Sequence, residues 1–468
     1  MKMKHQFLIP IIFIVLLPFC TLAQEDSTLN LTLKDAQEYA VINNLNMENA
    51  RLDIEAAEKK VWETTAIGLP QINGSVDYQH IPGELPTASF TDSSSMQLYD
   101  YIFTALQTLE AQHPGVNIGE VPSMDAGEPF TLGVKNSTTY GATVSQLIFS
   151  GEYLVGLQAS KTYLQISKLS HEKQEIELRS NVLNSYVSIL VLQNNLKIIN
   201  SSIENMQILV NETKQMSNQG FLESTDVDQL QITLNSLINS QKTVQRQVEI
   251  SYMLFKIVLG ADLTTAINLT QDLPSVYDQI VERPVKTEFD ITNNVDYKML
   301  DNQVKVSELS LKREKTKYLP TISAFYSYTD KTNKASFDFT INHIIGVNAS
   351  VPIFSSFQRN AQVQQAKIEY EKTLNNQTLL ERNLNIQAQQ LRFNFESALE
   401  KYIVADQNVD LSKRVFENTS QKYKQGMVSS MDLTQANNTY LQTESDKINA
   451  LMELIKTKIE LEKILNEL

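Results

Sequence analysis

Acidic, hydroxyl and amide side chains recur together at a fixed spacing in two short stretches. Gln219-Gly220-Phe221-Leu222-Glu223-Ser224-Thr225-Asp226-Val227 is echoed by Gln425-Gly426-Met427-Val428-Ser429-Ser430-Met431-Asp432-Leu433, 206 residues further on (425 minus 219). The chemistry this pattern suits is helix termination and restart. Glycine ends a helix by taking the left-handed conformation, Ser224 and Ser430 are candidate N-caps of the returning helices, and Asp226 and Asp432 fall in their first turns, where the helix dipole favours an anion. Each stretch therefore reads as the tight tip of a helical hairpin. Catalytic chemistry has no comparable support. His5, His80, His113, His171 and His343 are scattered without metal-ligand spacing to one another or to the lone Cys20, and the sequence holds no Gly-rich phosphate loop or nucleophile elbow. No enzyme, cofactor or metal centre is expected.

The elements that must position the tips are duplicated as well. Asn43-Asn44-Leu45-Asn46 matches Asn293-Asn294-Val295-Asp296, and Leu69-Pro70-Gln71-Ile72 matches Leu319-Pro320-Thr321-Ile322, both 250 apart (319 minus 69). Ser145-Gln146-Leu147-Ile148-Phe149-Ser150 matches Ser350-Val351-Pro352-Ile353-Phe354-Ser355 at 205 (350 minus 145), so the first copy carries 45 extra residues (250 minus 205). The expected organisation is a segment 1–23, a first repeat over 24–282 with a long outer loop at about 80–136, and a second repeat over 283–468. A unit this long is one duplicated structure and no solenoid of small repeats.

Lys2 and Lys4, an apolar run from Phe7 to Phe19 and the small residues Thr21 and Ala23, three and one before the cut, read as a secretory signal peptide cleaved after Ala23. That run is too short to span a bilayer as a helix. Cys20 raises the question of lipid attachment, but Phe19 stands where a lipoprotein signal carries a small residue. The net charge of −14 argues against nucleic acid as a partner.

Four segments alternate with period two. Ile72, Gly74, Val76 and Tyr78 oppose Asn73, Ser75, Asp77 and Gln79. Tyr140, Ala142 and Val144 oppose Thr139, Gly141, Thr143 and Ser145. Ile322, Ala324, Tyr326 and Tyr328 oppose Thr321, Ser323, Phe325, Ser327 and Thr329, and Ile345, Val347, Ala349 and Val351 oppose Gly346, Asn348 and Ser350. Strands of about ten residues with one apolar face and one small polar face suit a bilayer-spanning barrel with a wet lumen; Phe325 breaks the polar face. Between them the periodicity predicts helices over 33–67, 151–217, 224–259, 290–318, 356–424 and 430–467. In each repeat two shorter helices together match one long one, so they are expected to stack end to end beside it. Met96 to Leu109 reads as a short amphipathic helix in the outer loop.

Signal peptide, duplicated strand–strand–long-helix unit and paired Gln-Gly-x-x-x-Ser-x-Asp tips together resemble the TolC family of outer-membrane efflux proteins over essentially the whole mature chain. The resemblance implies a membrane α+β fold: four transmembrane β-strands and a long periplasmic helical barrel segment per chain, closed as a homotrimer in outer-membrane lipid. It implies a passive exit duct of a tripartite efflux or type I secretion system, docked to a periplasmic membrane-fusion adaptor and an inner-membrane transporter of RND, ABC or MFS type. Adaptor contacts would fall on Gln219, Gly220, Phe221, Leu222, Ser224 and Asp226 and on Gln425, Gly426, Met427, Val428, Ser430 and Asp432. The family's second tip often carries two acidic residues one helical turn apart at a tunnel constriction; Asp432 matches the first, whereas the second position is Gln435. The competing reading is a periplasmic coiled-coil adaptor or scaffold, which would need no lipid-facing strands.

Overall fold

The protein is described by a computed structural model covering residues 28–88, 93–113, 130–131, 133–281, 284, 288–334, 338 and 340–467. The expected signal peptide, Cys20 and part of the outer loop lie outside the described residues. In chain order, β1 (Leu29–Leu31) leads into α1 (Leu33–Asn43) and α2 (Leu45–Ile67), then β2 (Gln71–His80). The outer loop holds β3 (Thr87–Ala88), α3 (Ser93–Gln112) and β4 (Phe130–Thr131). β5 (Asn136–Phe149), α4 (Gly151–Asn218), α5 (Ser224–Leu259), β6 (Ile267–Leu269) and α6 (Leu273–Val281) complete the first repeat. The second contains a 3-10 turn (Ile291–Asn293), α7 (Val295–Thr316), β7 (Thr321–Lys331), β8 (His343–Ser350), α8 (Gln358–Lys424) and α9 (Ser430–Ile464).

Two compact units emerge, each drawing on both repeats. One unit contains residues 52–170 and 296–381 and is organised around an antiparallel sheet in the order β2-β5-β7-β8. The ladders place Val76 opposite Tyr140, Val144 opposite Tyr326 and Ala324 opposite Val347, so the apolar sets of all four strands share one face. On the other face Thr143 and Ser327 hydroxyls lie 3.0 Å apart. Phe325, the residue that broke the polar pattern, stands directly opposite Gly346. A Cβ at Gly346 would lie 2.6 Å from the Phe325 ring, so glycine makes the room that the ring needs. Among the described residues, both outer strands, β2 and β8, leave one edge without a partner.

The other unit, residues 1–51, 171–295 and 382–468, is helical with the small parallel pair β1–β6. One core gathers Ala36, Ala40, Met47, Tyr186, Phe255 and Leu259, and Tyr186 donates from its hydroxyl to the Leu31 carbonyl at 3.1 Å. A second core lies near the hairpin ends, where Met206, Leu209, Leu230, Leu234, Tyr423 and Leu433 pack together. Apolar burial of this kind, at about 25 cal/mol per Å², is what holds such long helices in register, since their own sequences are only weakly amphipathic.

Three expectations need correction. The single helix expected over 33–67 is two helices, broken at Asn44, whose backbone is extended (φ −70°, ψ 128°). The helix expected over 290–318 begins as a 3-10 turn and becomes α-helical only at Val295, after Asn294 takes the same extended form (φ −67°, ψ 130°). The N-caps of the returning helices are Glu223 and Ser429, one residue before Ser224 and Ser430.

Candidate functional site

Each tip is built by a glycine at positive φ, +80° at Gly220 and +71° at Gly426. The hydrogen bonds are the same in both. Phe221 N–H donates to Met216 O (3.0 Å) and Gly220 N–H to Ser217 O (3.0 Å); Met427 N–H donates to Lys422 O (2.9 Å) and Gly426 N–H to Tyr423 O (2.9 Å). These nested bonds satisfy carbonyls that a helix end leaves open. The chain then turns so that Leu222 and Val428 pack against the tip core, while Phe221 and Met427 remain 76% and 68% exposed. Gln219, Gly220, Gln425 and Gly426 are exposed beside them. Among the expected tip residues, Leu222 and Val428 are therefore inward anchors and Phe221 and Met427 outward apolar groups.

Beyond the turn the two copies differ. At the second tip the Ser429 hydroxyl accepts from Asp432 N–H at 3.2 Å and donates to the Asp432 carboxylate at 2.7 Å, while Ser429 N–H donates to the same carboxylate at 3.0 Å. This capping box satisfies two open donors at once. It also holds the Asp432 carboxyl below the usual aspartate range, chiefly through the Ser429 hydroxyl and then through its N–H. At the first tip Glu223 occupies the cap position and makes no side-chain capping bond. Asp226 accepts instead from the buried Ser430 hydroxyl at 2.5 Å, a bond between the two hairpins. Ser224 is exposed. Asp432 and Gln435, the constriction candidates, are both exposed on α9, three residues apart and so on one helix face.

Sequence reasoning missed the other ties between hairpins. Lys424 Nζ lies 3.0 Å from a Glu212 carboxylate oxygen, and the hydroxyls of Thr213 and Tyr423 lie 3.3 Å apart in a buried position. Burial raises the Tyr423 phenol above its ordinary value, with the Thr213 bond opposing. Nearby, Tyr440 stacks on Phe416 and is pushed up to about 12 by burial and then by its bond to Glu444.

A second duplicated feature is the joint where a returning helix meets the start of a shorter one. Asn44 Nδ2 donates to Val258 O at 2.8 Å, near the end of α5, and its Oδ1 accepts from Asn46 N–H at 2.8 Å at the start of α2. Asn294 Nδ2 donates to Ile464 O at 3.1 Å, at the end of α9. At Asn44 one buried amide side chain thus serves two helix ends, which only a group with both donor and acceptor can do. The partners 258 and 464 are 206 apart and the asparagines 250 apart, the offsets of the repeat. The matched Asn-Asn pairs were the visible signal. These bonds tie the end of α5 to the residue before α2, and the end of α9 to the residue before α7.

Among the described residues no group of three or more His, Cys, Asp or Glu could hold a metal ion, and no helix is long and apolar enough to cross a membrane.

A duplicated chain with a four-stranded sheet and paired helical hairpins has the fold of outer-membrane channels. It is similar to CusC, with a TM-score of 0.70 and 14% identity over 94% of this chain and 93% of that one. It is also similar to the CmeC outer membrane channel of Campylobacter jejuni (TM-score 0.69, 15% identity, 93% and 85% covered) and to VceC of Vibrio cholerae (0.67, 12%, 92% and 95%). At these identities the likeness is one of fold. In sequence, residues 292–467 match the family described as outer membrane efflux protein. No curated protein sequence matches the chain. The chain thus resembles the outer membrane efflux proteins in sequence across its second repeat and in fold along nearly its whole length, which supports an outer-membrane efflux channel component.

Proposed function

We propose that this chain is the passive outer-membrane duct of a tripartite export system, working as a homotrimer. The observation that carries this reading is the sheet: four strands with an apolar face and, among the described residues, two edges without a partner. Hydrocarbon tolerates neither open backbone groups nor a sheet edge, and four strands are too few to close around an aqueous lumen. Copies of the chain must complete the barrel, and the number three follows from the resemblance. The hairpins would extend into the periplasm, with Phe221 and Met427 offering apolar contacts to a periplasmic adaptor that couples the duct to an inner-membrane transporter. Asp432 and Gln435 would line the narrow end as a ring half as acidic as one with two carboxylates per chain. A coiled-coil adaptor has no use for a two-edged amphipathic sheet.

The test is the native mass of protein extracted in detergent from separated outer membranes, followed by conductance in planar bilayers. A trimeric mass with channel activity is expected. A soluble periplasmic monomer or dimer would overturn the reading.

A further inference from the structure

Away from the tips and the sheet, the helical unit buries an ion pair that its architecture does not call for. Lys458 and Glu462, one turn apart on α9, are 0% and 2% exposed, with Lys458 Nζ 3.7 Å from a Glu462 carboxylate oxygen and 5.3 Å from the Phe395 ring centre. Taking two charges out of water costs about as much as their attraction returns, so apolar side chains hold such a place as well or better. The first repeat shows the alternative: 206 residues earlier, α5 carries Tyr252 (458 minus 206) and Lys256 (462 minus 206). There the Tyr252 hydroxyl accepts from Gln193 Nε2 at 2.9 Å, and Lys256 Nζ donates to the Leu263 carbonyl at 2.8 Å. The repeated backbone therefore needs no buried pair at this level.

Glu462 lines a cavity of about 620 Å³, a size suited to a small ligand. Its other walls include α1 and α6, which the first repeat alone builds: the image of α1 in the second repeat, 283–293 (33 plus 250 to 43 plus 250), holds among the described residues only the 3-10 turn Ile291–Asn293. The charges of the lining balance. Lys34 and Glu38 are exposed, Arg179 is half-buried and Glu462 is buried. Arg179 gives Nε and Nη2 to Glu175, at 3.0 and 2.7 Å, which leaves Nη1 to donate. Two amides line the cavity as well. Gln37 donates through Nε2 to the Arg179 carbonyl at 3.2 Å and Gln271 accepts from Leu33 N–H at 2.8 Å, leaving an acceptor on the first and a donor on the second. Leu183 and Ile280 add apolar surface.

We infer that this cavity binds a short zwitterionic peptide, its ammonium at the Glu462 carboxylate, its carboxylate at Arg179 and its backbone amides at Gln37 and Gln271. A simple anion would meet Glu462 and a simple cation would meet Lys34 and Arg179, whereas a ligand that carries both charges and amide groups matches the whole lining. A carboxylate accepts several hydrogen bonds, so Glu462 takes an ammonium while keeping Lys458. In a periplasmic protein such a ligand comes either as a free peptide or as the peptide stem of the cell wall.

The test is calorimetry on the detergent-purified full chain with the tripeptide Ala-Glu-Lys, which is neutral overall and carries both charges. Saturable binding at about millimolar concentration or below is expected. Acetylating the amino groups of the peptide should weaken binding about tenfold or more, whereas Lys458→Met with Glu462→Met should bind the free and acetylated peptides alike. That double replacement removes the two charges together and so spares the fold. Arg179→Gln should in the same way erase the effect of amidating the peptide's carboxylates; should the double variant fail to fold, this pair of measurements asks the question from the carboxylate side. No saturation, or a wild-type affinity indifferent to both modifications, or one retained in the variants, overturns the inference. Co-sedimentation with isolated cell-wall sacculi separates the two sources: depletion of wild type and not of the variants assigns the wall stem, and peptide binding without sedimentation assigns a free peptide. Because binding is read on the purified chain, its failure leaves the reading of the sheet standing.

Discussion

The two repeats place the same backbone at equivalent positions and stabilise it by different means. At the joint, Gly260 (φ +73°) and Asn466 (φ +57°), 206 residues apart, end α5 and α9 with the same nested bonds: Ala261 N–H to Lys256 O and Glu467 N–H to Glu462 O, each 2.9 Å. At the tip, the second hairpin caps itself through Ser429 and Asp432, whereas the first lends Asp226 to Ser430 of its neighbour. A capping box holds its helix start by local bonds alone, whereas an aspartate that reaches across depends on where the other hairpin stands. Duplication conserved the turn, and the side chains then divided the roles of local cap and link between hairpins.

The largest expected difference lies at the joint. A Cβ at Gly260 would sit 2.3 Å from the Asn43 carbonyl oxygen, in a left-handed residue. Gly260→Ala therefore adds a steric clash to the conformational penalty, costing about 3 kcal/mol or more in local stability. Asn466→Gly at the equivalent position should change stability by less than about 1 kcal/mol, because asparagine already tolerates this conformation and glycine adopts it freely. Hydrogen exchange over the ends of α5 and α9 measures both. Equal effects would mean that the two joints are interchangeable.

Next in size is the link between tips. The Ser430 hydroxyl is buried and bonded to a carboxylate, and such bonds contribute about 1.5–3 kcal/mol. Ser430→Ala should raise exchange at both tips by roughly tenfold or more. Ser224→Ala, at the equivalent exposed position, should leave exchange within about twofold. If the two substitutions act alike, the hairpins are not coupled through this bond.

A smaller effect separates the caps. Ser429→Ala removes an N-cap hydroxyl and should cost about 0.5–2 kcal/mol, confined to the first turn of α9. Glu223→Ser installs the missing hydroxyl in the first repeat. It should stabilise the first turn of α5 by a few tenths of a kcal/mol, the gain held down because the Asp226 carboxylate that would complete the box is engaged with Ser430. Adding Ser430→Ala to Glu223→Ser frees that carboxylate, and the α5 cap should then strengthen; an unchanged cap would mean that Asp226 is not shared.

Much of this was legible in the sequence, because duplication lets one landmark check another. The strands were visible as period-two segments and the tips as glycines followed by Ser-x-Asp. What escaped was what depends on contacts far apart in the chain. Ser224 and Ser430 look like caps, yet capping is decided by which residue turns extended, and Glu223 and Ser429 do so. The break at Asn44 was hidden by an apolar stripe that continues on either side, since periodicity does not register a residue that leaves the helix to bond Val258, 214 positions away. Tyr423, Thr213, Glu212 and Lys424 carry no motif at all; only the meeting of two hairpins gives them partners.

Acidification sharpens the comparison of the tips most finely. The Asp432 carboxyl is held below the ordinary aspartate value by the Ser429 hydroxyl and N–H, which favour its charged form. A group whose pKa falls on folding contributes stability that is present above its unfolded value, about 3.9, and is lost as pH drops through the folded one. The first turn of α9 should therefore exchange at a constant opening free energy from neutral pH to about 4 and loosen below that. Asp432→Asn keeps the acceptor but has no charge to lose, so its α9 opening free energy should be lower at neutral pH and flat on acidification. If wild type and Asp432→Asn show the same pH profile at this turn, the capping box does not depend on the carboxylate charge, and the chemical distinction drawn between the two tips at this residue fails.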